Sequence, residues 1–195
     1  MPTSPSPAAP STHTAGSDRS APVLVFGATG YIGAHLVPRL RREGRTVRAS
    51  GRNRQVLEAR DWPGVELVEA DALRPDSLPG VLAGVDTAYY LVHSMAAGQD
   101  FGRLDLQAAE NFAAAAGQAG VRRIVYLGGL VPDDADSEHL VSRRQTGERL
   151  RAGRVPVTEV RAGIIVGAGS AAYEVVRDLV NHLPLMLTPR WVRSR

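Results

Sequence analysis

Apolar residues in this chain come in short dense runs, separated by longer stretches in which they recur every three or four positions. The runs predict strands at Val23–Phe26, Thr46–Ser50, Val65–Ala70, Thr87–Val92, Arg123–Leu127 and Val157–Arg161. The spaced stretches predict helices over Ile32–Glu43, Leu104–Ala119, Glu138–Ala152 and Ala171–His182, with shorter helical pieces at Arg54–Ala59 and Pro75–Ala83. Gly44, Gly120 and Gly153 stand where three of these helices should close. Pro38 inside the first helix predicts a kink or a loosened turn. The Thr87–Val92 run is apolar except for its threonine, as a strand covered on both faces should be. Such regular alternation predicts an α/β fold, a doubly wound parallel sheet with helices on both faces.

Composition narrows the chemistry. The 195 residues suit one domain, and with 44% hydrophobic residues they can bury a sizeable core. Met1–Ala21 is rich in Pro, Ser, Thr and Ala, which predicts a disordered tail without the apolar stretch of a signal peptide. No run is long enough to cross a membrane. Cysteine is absent, so thiolate chemistry is excluded, and a cytoplasmic protein is the simplest expectation. The five histidines show no metal-ligand spacing, so no metal site is expected. Lysine is absent as well, and all 23 basic residues are arginine. Schiff-base chemistry is thereby excluded, as is the lysine-dependent phosphate loop of nucleoside-triphosphate hydrolases. The net charge is +3, but the arginines are spread out and form no run interleaved with aromatics, so no nucleic-acid partner is expected.

The most informative stretch is VLVFGATGYIG, residues 23–33. Three glycines, Gly27, Gly30 and Gly33, follow the first predicted strand and open the first predicted helix. That context fits the dinucleotide fingerprint of a Rossmann fold. Gly27 permits the tight turn, Gly30 lets a pyrophosphate approach the main chain, and Gly33 lets helix and strand pack closely. Ala28, Thr29, Tyr31 and Ile32 complete this loop, and the helix start offers N–H groups to phosphate. After the second strand, where an acidic residue would bond the ribose of NAD(H), the sequence reads RASGRNR. Arg52 there suits the 2′-phosphate of NADP(H), with Ser50, Asn53 and Arg54 beside it. NADP(H) is the expected cofactor and NAD(H) the alternative. Asp71 and Ala72 end the third strand. Asp71 there suits either the adenine amino group, with Ala72 packed on the ring, or a turn.

GATGYIG, SGRN, EADALRPDSL, YYLVH, RRIVYLGGL and VTEVRAGIIVG, in this order, resemble the short-chain dehydrogenase/reductase superfamily, and more narrowly its atypical, NmrA-like branch. The resemblance covers residues 22–195. It implies that Val92 and His93 replace a small pair that covers the cofactor, and that Asp105 and Asn111 stand where relatives carry asparagine. It also implies that Ile164–Gly167 line the nicotinamide side and that Arg161 replaces the family's arginine at the end of strand six. Relatives continue further, so the expectation is a domain cut short before its substrate-binding part, with an apolar patch near Leu183–Leu187 that favours a homo-oligomer.

Active members of the superfamily use Ser or Thr, Tyr and Lys. Here strand five runs into Gly128-Gly129-Leu130, and the Tyr and Lys places hold His139 and Arg143. The four-residue spacing puts both on one helix face. Arg143 can hold a ribose or a phosphate, while His139 can act as acid or base, with Asp133, Asp134 and Asp136 expected to raise its pKa. His93, at the carboxyl edge of the sheet, is the other candidate for proton transfer. Tyr89, Tyr90 and Tyr126 are expected to pack in the core or against the cofactor. Three functions follow: an NADP(H)-dependent oxidoreductase with a degenerate triad acting on a small molecule, a non-catalytic NADP(H)-binding redox sensor or regulatory module, and a nucleotide-sugar epimerase or dehydratase.

Overall fold

A computed structural model describes residues 21–93, 101–132 and 137–182. Elements follow in the order β1 (Val23–Phe26), α1 (Tyr31–Arg42), β2 (Val47–Gly51), α2 (Arg54–Glu58), β3 (Glu66–Glu69) and, after a 3-10 turn at Pro75–Ser77, α3 (Leu78–Leu82). Then come β4 (Thr87–Tyr90), α4 (Phe101–Gln118), β5 (Arg123–Gly129), α5 (Glu138–Arg151), β6 (Val157–Ala162) and α6 (Ala171–His182). All strand pairs are parallel, in the order β3-β2-β1-β4-β5-β6. The chain therefore reverses its winding between β1 and β4, where Phe26 lies opposite Tyr90.

Side-chain alternation along the strands divides the core into two layers. Leu24 and Phe26 of β1 join Ala88, Tyr90, Ile124 and Tyr126 on one face, under α3, α4 and α5. Val23 and Val25 join Val47 and Ala49 on the other, under α1 and α2. Phe112 of α4 packs at 4.9 Å between ring centroids on both Phe26 and Tyr90, and so anchors the first layer. Alanines 108, 109, 113 and 116 let α4 approach the sheet closely. The doubly wound parallel sheet is as the periodicity predicts.

Three local outcomes differ from expectation. Helix α1 runs from Tyr31 to Arg42 through Pro38 without a break. Proline removes one intrahelical bond, but the apolar face formed by Gly33, Val37 and Leu40 still seats the helix on the sheet. Strand β4 ends at Tyr90, two residues early, and β5 extends two residues further, to Gly129. Helix α6 forms where expected but buries none of its residues, and Val175, Val176, Leu179 and Val180 are exposed. No helix among the described residues is long and apolar enough to cross a membrane. The tail expected over residues 1–21, save Ala21, and the patch expected at Leu183–Leu187 lie outside the described residues.

Candidate functional site

The carboxyl ends of β1, β4 and β5 open into one cleft along the sheet edge. Its first part is lined by Gly27, Thr29, Gly30, Gly51, Arg52, Asp71, Ala72, Val92 and His93, among others. A second part, sharing Gly27, Gly30, Val92 and His93, adds Tyr31, Ile32, Gly33, Arg143 and Ile165. The third continues from His93, Arg143 and Ile165 to Gly128, Gly129, Leu130, His139 and Ile164. The volume grows from about 160 Å3 at the Asp71 end to about 420 Å3 at the His139 end. The reversal of strand winding produces this crevice where open α/β sheets bind ligands.

The three glycines of the first turn do different work. Gly27 has φ +92°, and a Cβ there would lie 3.0 Å from the carbonyl carbon of Leu91. Gly33 carries α1 against the turn, since a Cβ would lie 2.5 Å from the Cα of Ala28. Gly30 is crowded by no protein atom, the nearest to a Cβ being Gly27 O at 3.5 Å. Its missing side chain leaves the cleft open rather than relieving a clash. As the N-cap of α1 it also provides no capping side chain to the N–H groups of the first turn, at Tyr31, Ile32 and Gly33. An uncapped helix start below a bare backbone suits a pyrophosphate. The amides of Gly27 and Ala28 are spent on Ser50 O, at 3.0 and 2.8 Å, so Ala28 supports the turn from beneath.

At the adenosine end Arg52 is exposed and has no carboxylate partner among the described residues. Arg54 is committed instead, to Glu58 at 2.8 Å and to Leu67 O at 3.1 Å. Ser50 does not line the cleft. Its side chain is fully buried, its hydroxyl has no partner, and its carbonyl carries the glycine turn. Asn53 is turned to another task, accepting the Val56 N–H as the N-cap of α2. Asp71 lines the cleft and also makes a turn, with Oδ1 accepting the Leu73 N–H at 2.9 Å. Two contacts were not among the expected site residues. Arg60 donates to Thr29 O at 2.6 Å, and Asn111 donates to Ala72 O at 2.8 Å. Arg60 follows α2 with no pattern to mark it, and Asn111 was marked only by the resemblance.

At the wide end the structure brings His93, His139 and Arg143 together. His93 follows β4, and its Nδ1 lies 2.8 Å from Asp105 Oδ2 of α4. Its Nε2 lies 3.1 Å from Nδ1 of His139 on α5. Arg143, one turn on, donates to Leu127 O at 2.7 Å and lines both the middle and the wide parts of the cleft. Burial first, then the neighbouring His93 and Arg143, hold the His139 pKa below its ordinary value, and only Asp105 opposes them. The expected upward shift is thus reversed, and Asp133, Asp134 and Asp136 lie outside the described residues. Tyr90 and Tyr126 belong to the core, and burial raises both, Tyr126 to about 12. Neither is among the residues that line the cleft. Arg161 is exposed and pairs with Glu159. Ile164 and Ile165 line the wide end, while Val166 and Gly167, which the resemblance adds to that side, line none of the three parts.

A nicotinamide dinucleotide fits these residues. Gly30 leaves room for phosphate, Arg52 has no competing carboxylate among the described residues, and adjoining cavities that share lining residues lead on to Arg143 and His139. Comparison with known proteins agrees. Residues 27–179 match the NAD(P)H-binding family. A (4-alkanoyl-5-oxo-2,5-dihydrofuran-3-yl)methyl phosphate reductase from Streptomyces griseus is 33% identical over 171 residues, 84% of this chain and 57% of the reductase. Sterol demethylase protein B of Methylococcus capsulatus is 33% identical over 60% of this chain and 38% of its own length. The chain therefore spans little more than half, or less, of these curated relatives. Triphenylmethane reductase of Citrobacter sp., complexed with NADP(H), superposes with TM-score 0.65 at 24% identity, over 73% of this chain and 49% of that one. WbmH of Bordetella bronchiseptica, in complex with NAD+, gives TM-score 0.69 at 18% identity, over 83% and 62%. With the glycine turn, the sheet order and the family match in agreement, the chain belongs to the NAD(P)H-binding family and carries a dinucleotide-binding domain of the atypical short-chain dehydrogenase/reductase type.

Proposed function

We propose that this chain is an NADP(H)-dependent oxidoreductase acting on a small apolar carbonyl compound or the corresponding alcohol. The observation that carries this reading is the row of adjoining cavities, with Arg52, unpaired among the described residues, at one end and Arg143 beside a histidine pair at the other. Thr29, Gly30, Tyr31, Ile32 and Gly33 would hold the pyrophosphate, Arg52 the 2′-phosphate, and Asp71 with Ala72 the adenine. Val92 would cover the cofactor. Arg143 keeps N–H groups beyond the one given to Leu127 O and would hold the nicotinamide ribose. When bound, the dinucleotide supplies or accepts a hydride. Leu130 and Ile164, 62% and 82% exposed, give the substrate end its apolar rim. The Streptomyces and Citrobacter relatives are named as reductases, and NADP(H) accompanies the second, which supports the same reading.

Calorimetric titration tests the cofactor. NADPH should bind at least about tenfold more tightly than NADH, since charge-assisted bonds to the 2′-phosphate contribute roughly 1.5–3 kcal/mol. Arg52→Glu should abolish or invert that preference. Uptake of neither coenzyme would overturn the proposal, and an unchanged preference in the variant would remove Arg52 from it.

A second reading, a redox sensor that binds NADP(H) without turnover, is favoured by the resemblance drawn from the sequence, which puts glycine, His139 and Arg143 at the family's Ser, Tyr and Lys places. Incubation with NADPH and a panel of ketones and quinones separates the two readings. Tight binding with no loss of NADPH absorbance would leave the sensor.

A further inference from the structure

Three titratable side chains from three elements form a line at the wide end of the cleft. Asp105 of α4 is 3% exposed, His93 after β4 is 17% exposed, and His139 of α5 faces the cavity. Asp105 Oδ2 lies 2.8 Å from His93 Nδ1 and also accepts the Ser142 hydroxyl at 3.4 Å. His93 Nε2 lies 3.1 Å from His139 Nδ1. A carboxylate only accepts hydrogen bonds, so His93 Nδ1 keeps its hydrogen in either charge state of the ring. The contact between the two rings holds one proton, whichever ring owns it. One nitrogen is left to exchange a proton with a ligand, and that is Nε2 of His139.

We infer that Asp105, His93 and His139 form a proton relay that serves the oxygen of a carbonyl substrate. This rests on the oxidoreductase reading above and supplies the group that replaces the missing tyrosine and lysine. As hydride reaches the carbonyl carbon, the C=O π pair moves onto oxygen, and that oxygen takes the proton from His139 Nε2. The shared proton passes from His93 Nε2 to His139 Nδ1. His93 keeps its Nδ1 hydrogen against Asp105. The array goes from zero net charge to minus one, and water returns a proton to His139 Nε2. Carbonyl, hydride and proton sum to the alcohol. In the opposite direction the alcohol gives its proton to the same nitrogen. His139 is the catalytic residue of this scheme, while His93 and Asp105 position it and carry its proton.

The groups facing His139 set the pH dependence. His93 from the β4 end and Arg143 from the same helix face lower its pKa, together with burial, and Asp105 from α4 opposes them. Tyr90 and Tyr126, which lie near Asp105, stay uncharged because burial raises both. Reduction should therefore slow as pH rises through a value below that of an ordinary histidine. Oxidation of the alcohol should gain over the same interval.

Two readouts test the relay on the full chain. Imidazole nitrogen NMR of the cofactor-free protein should show His93 Nδ1 carrying its hydrogen against Asp105, and a hydrogen bond between His93 Nε2 and His139 Nδ1. In the Asp105→Asn variant the His139 titration should move to lower pH, because the carboxylate that raises it is gone. Steady-state kinetics with NADPH and an apolar ketone form the second readout. His139→Gln should cut kcat about 100-fold or more and remove the pH limb, with NADPH affinity unchanged. Asp105→Asn should lower kcat roughly tenfold with the KM for NADPH held. If Asp105→Asn does not fold, His93→Gln carries the kcat test, and in it the His139 titration should move to higher pH, because a neighbour that lowers it is gone. No hydrogen bond between the two rings, or wild-type kcat in His139→Gln, overturns the relay alone. Failure of NADPH to bind removes the parent reading and this substrate assignment together, whatever the NMR shows.

Discussion

Gly30 and Gly33 look alike in the sequence and behave oppositely in the fold. A Cβ at position 33 would meet the Ala28 backbone at 2.5 Å, whereas one at position 30 would meet only ordinary contact at 3.5 Å. Gly33→Ala should cost about 1–3 kcal/mol, because the helix must lift off the turn. Gly30→Ala should cost less, roughly 0.5–1 kcal/mol for the poorer N-cap, yet lower NADPH affinity at least about tenfold. Chemical denaturation beside calorimetry separates the two effects. An equal loss of stability in both variants would contradict the assignment of Gly30 to the ligand. The glycine spacing announced the loop but not this division of labour, which depends on where β4 and the turn backbone lie. Ser50 and Asn53 show the same limit. Both are polar residues beside a fingerprint, and sequence alone does not show which way each side chain turns.

At the scale of elements, the strands and helices were readable because each strand run is short and α1, α4 and α6 carry apolar stripes, whereas α5 buries Ser142, Thr146 and Gly147 beside Leu150. The ends were less readable. β5 gains Gly128 and Gly129 because β6 continues alongside and pairs with both. Where β4 meets β5 at the opposite edge of the sheet, the junction is held by charge. Asp86, before β4, is 6% exposed, pairs with Arg122 and receives the Thr87 hydroxyl at 3.0 Å. Its carbonyl accepts the N–H groups of Arg122 and Arg123. The Arg122 side chain, its strongest partner, holds the Asp86 pKa below the ordinary carboxylate value. A carboxylate depressed in the folded state stabilises the fold above its unfolded pKa, near 3.9, and that stability fades as pH falls through the folded value. Asp86→Asn should therefore be less stable than wild type at neutral pH and lose less on acidification. Denaturant midpoints measured at neutral and acid pH check this, and parallel losses in the two proteins would refute it.

The whole molecule is lopsided. Both faces of the central strands are covered, and the four residues of β1 are all buried. At the β6 edge Val160 is exposed, and α6 buries nothing. Stability should reside in the α4 side of the sheet and hardly at all in α6. Phe112→Ala, which empties the contact with Phe26 and Tyr90, should cost about 3–5 kcal/mol. Val176→Glu and Val180→Glu should each stay within about 0.5 kcal/mol. Unfolding midpoints decide, and a large loss in the α6 variants would show that this helix is integral to the core. The amphipathic pattern of α6 made it legible as a helix, but a stripe of valines does not say what it rests against. The histidine pair was hidden for a related reason. Its members are 46 positions apart, and only the folded sheet sets one beside the other.

One helix reaches both ends of the cleft. Asp105 grips His93 and Asn111 grips the Ala72 carbonyl, and both stand on α4. Six residues at 1.5 Å each make this a spacer of about 9 Å with fixed length and fixed angular offset. One residue inserted between them would swing the two grips apart by roughly 100°, so the helix could no longer serve both. On the proposed function, the reach from purine seat to acid–base pair would thus be cut to measure by a single rod, and redesigning loops alone would relocate neither terminus of the bound molecule.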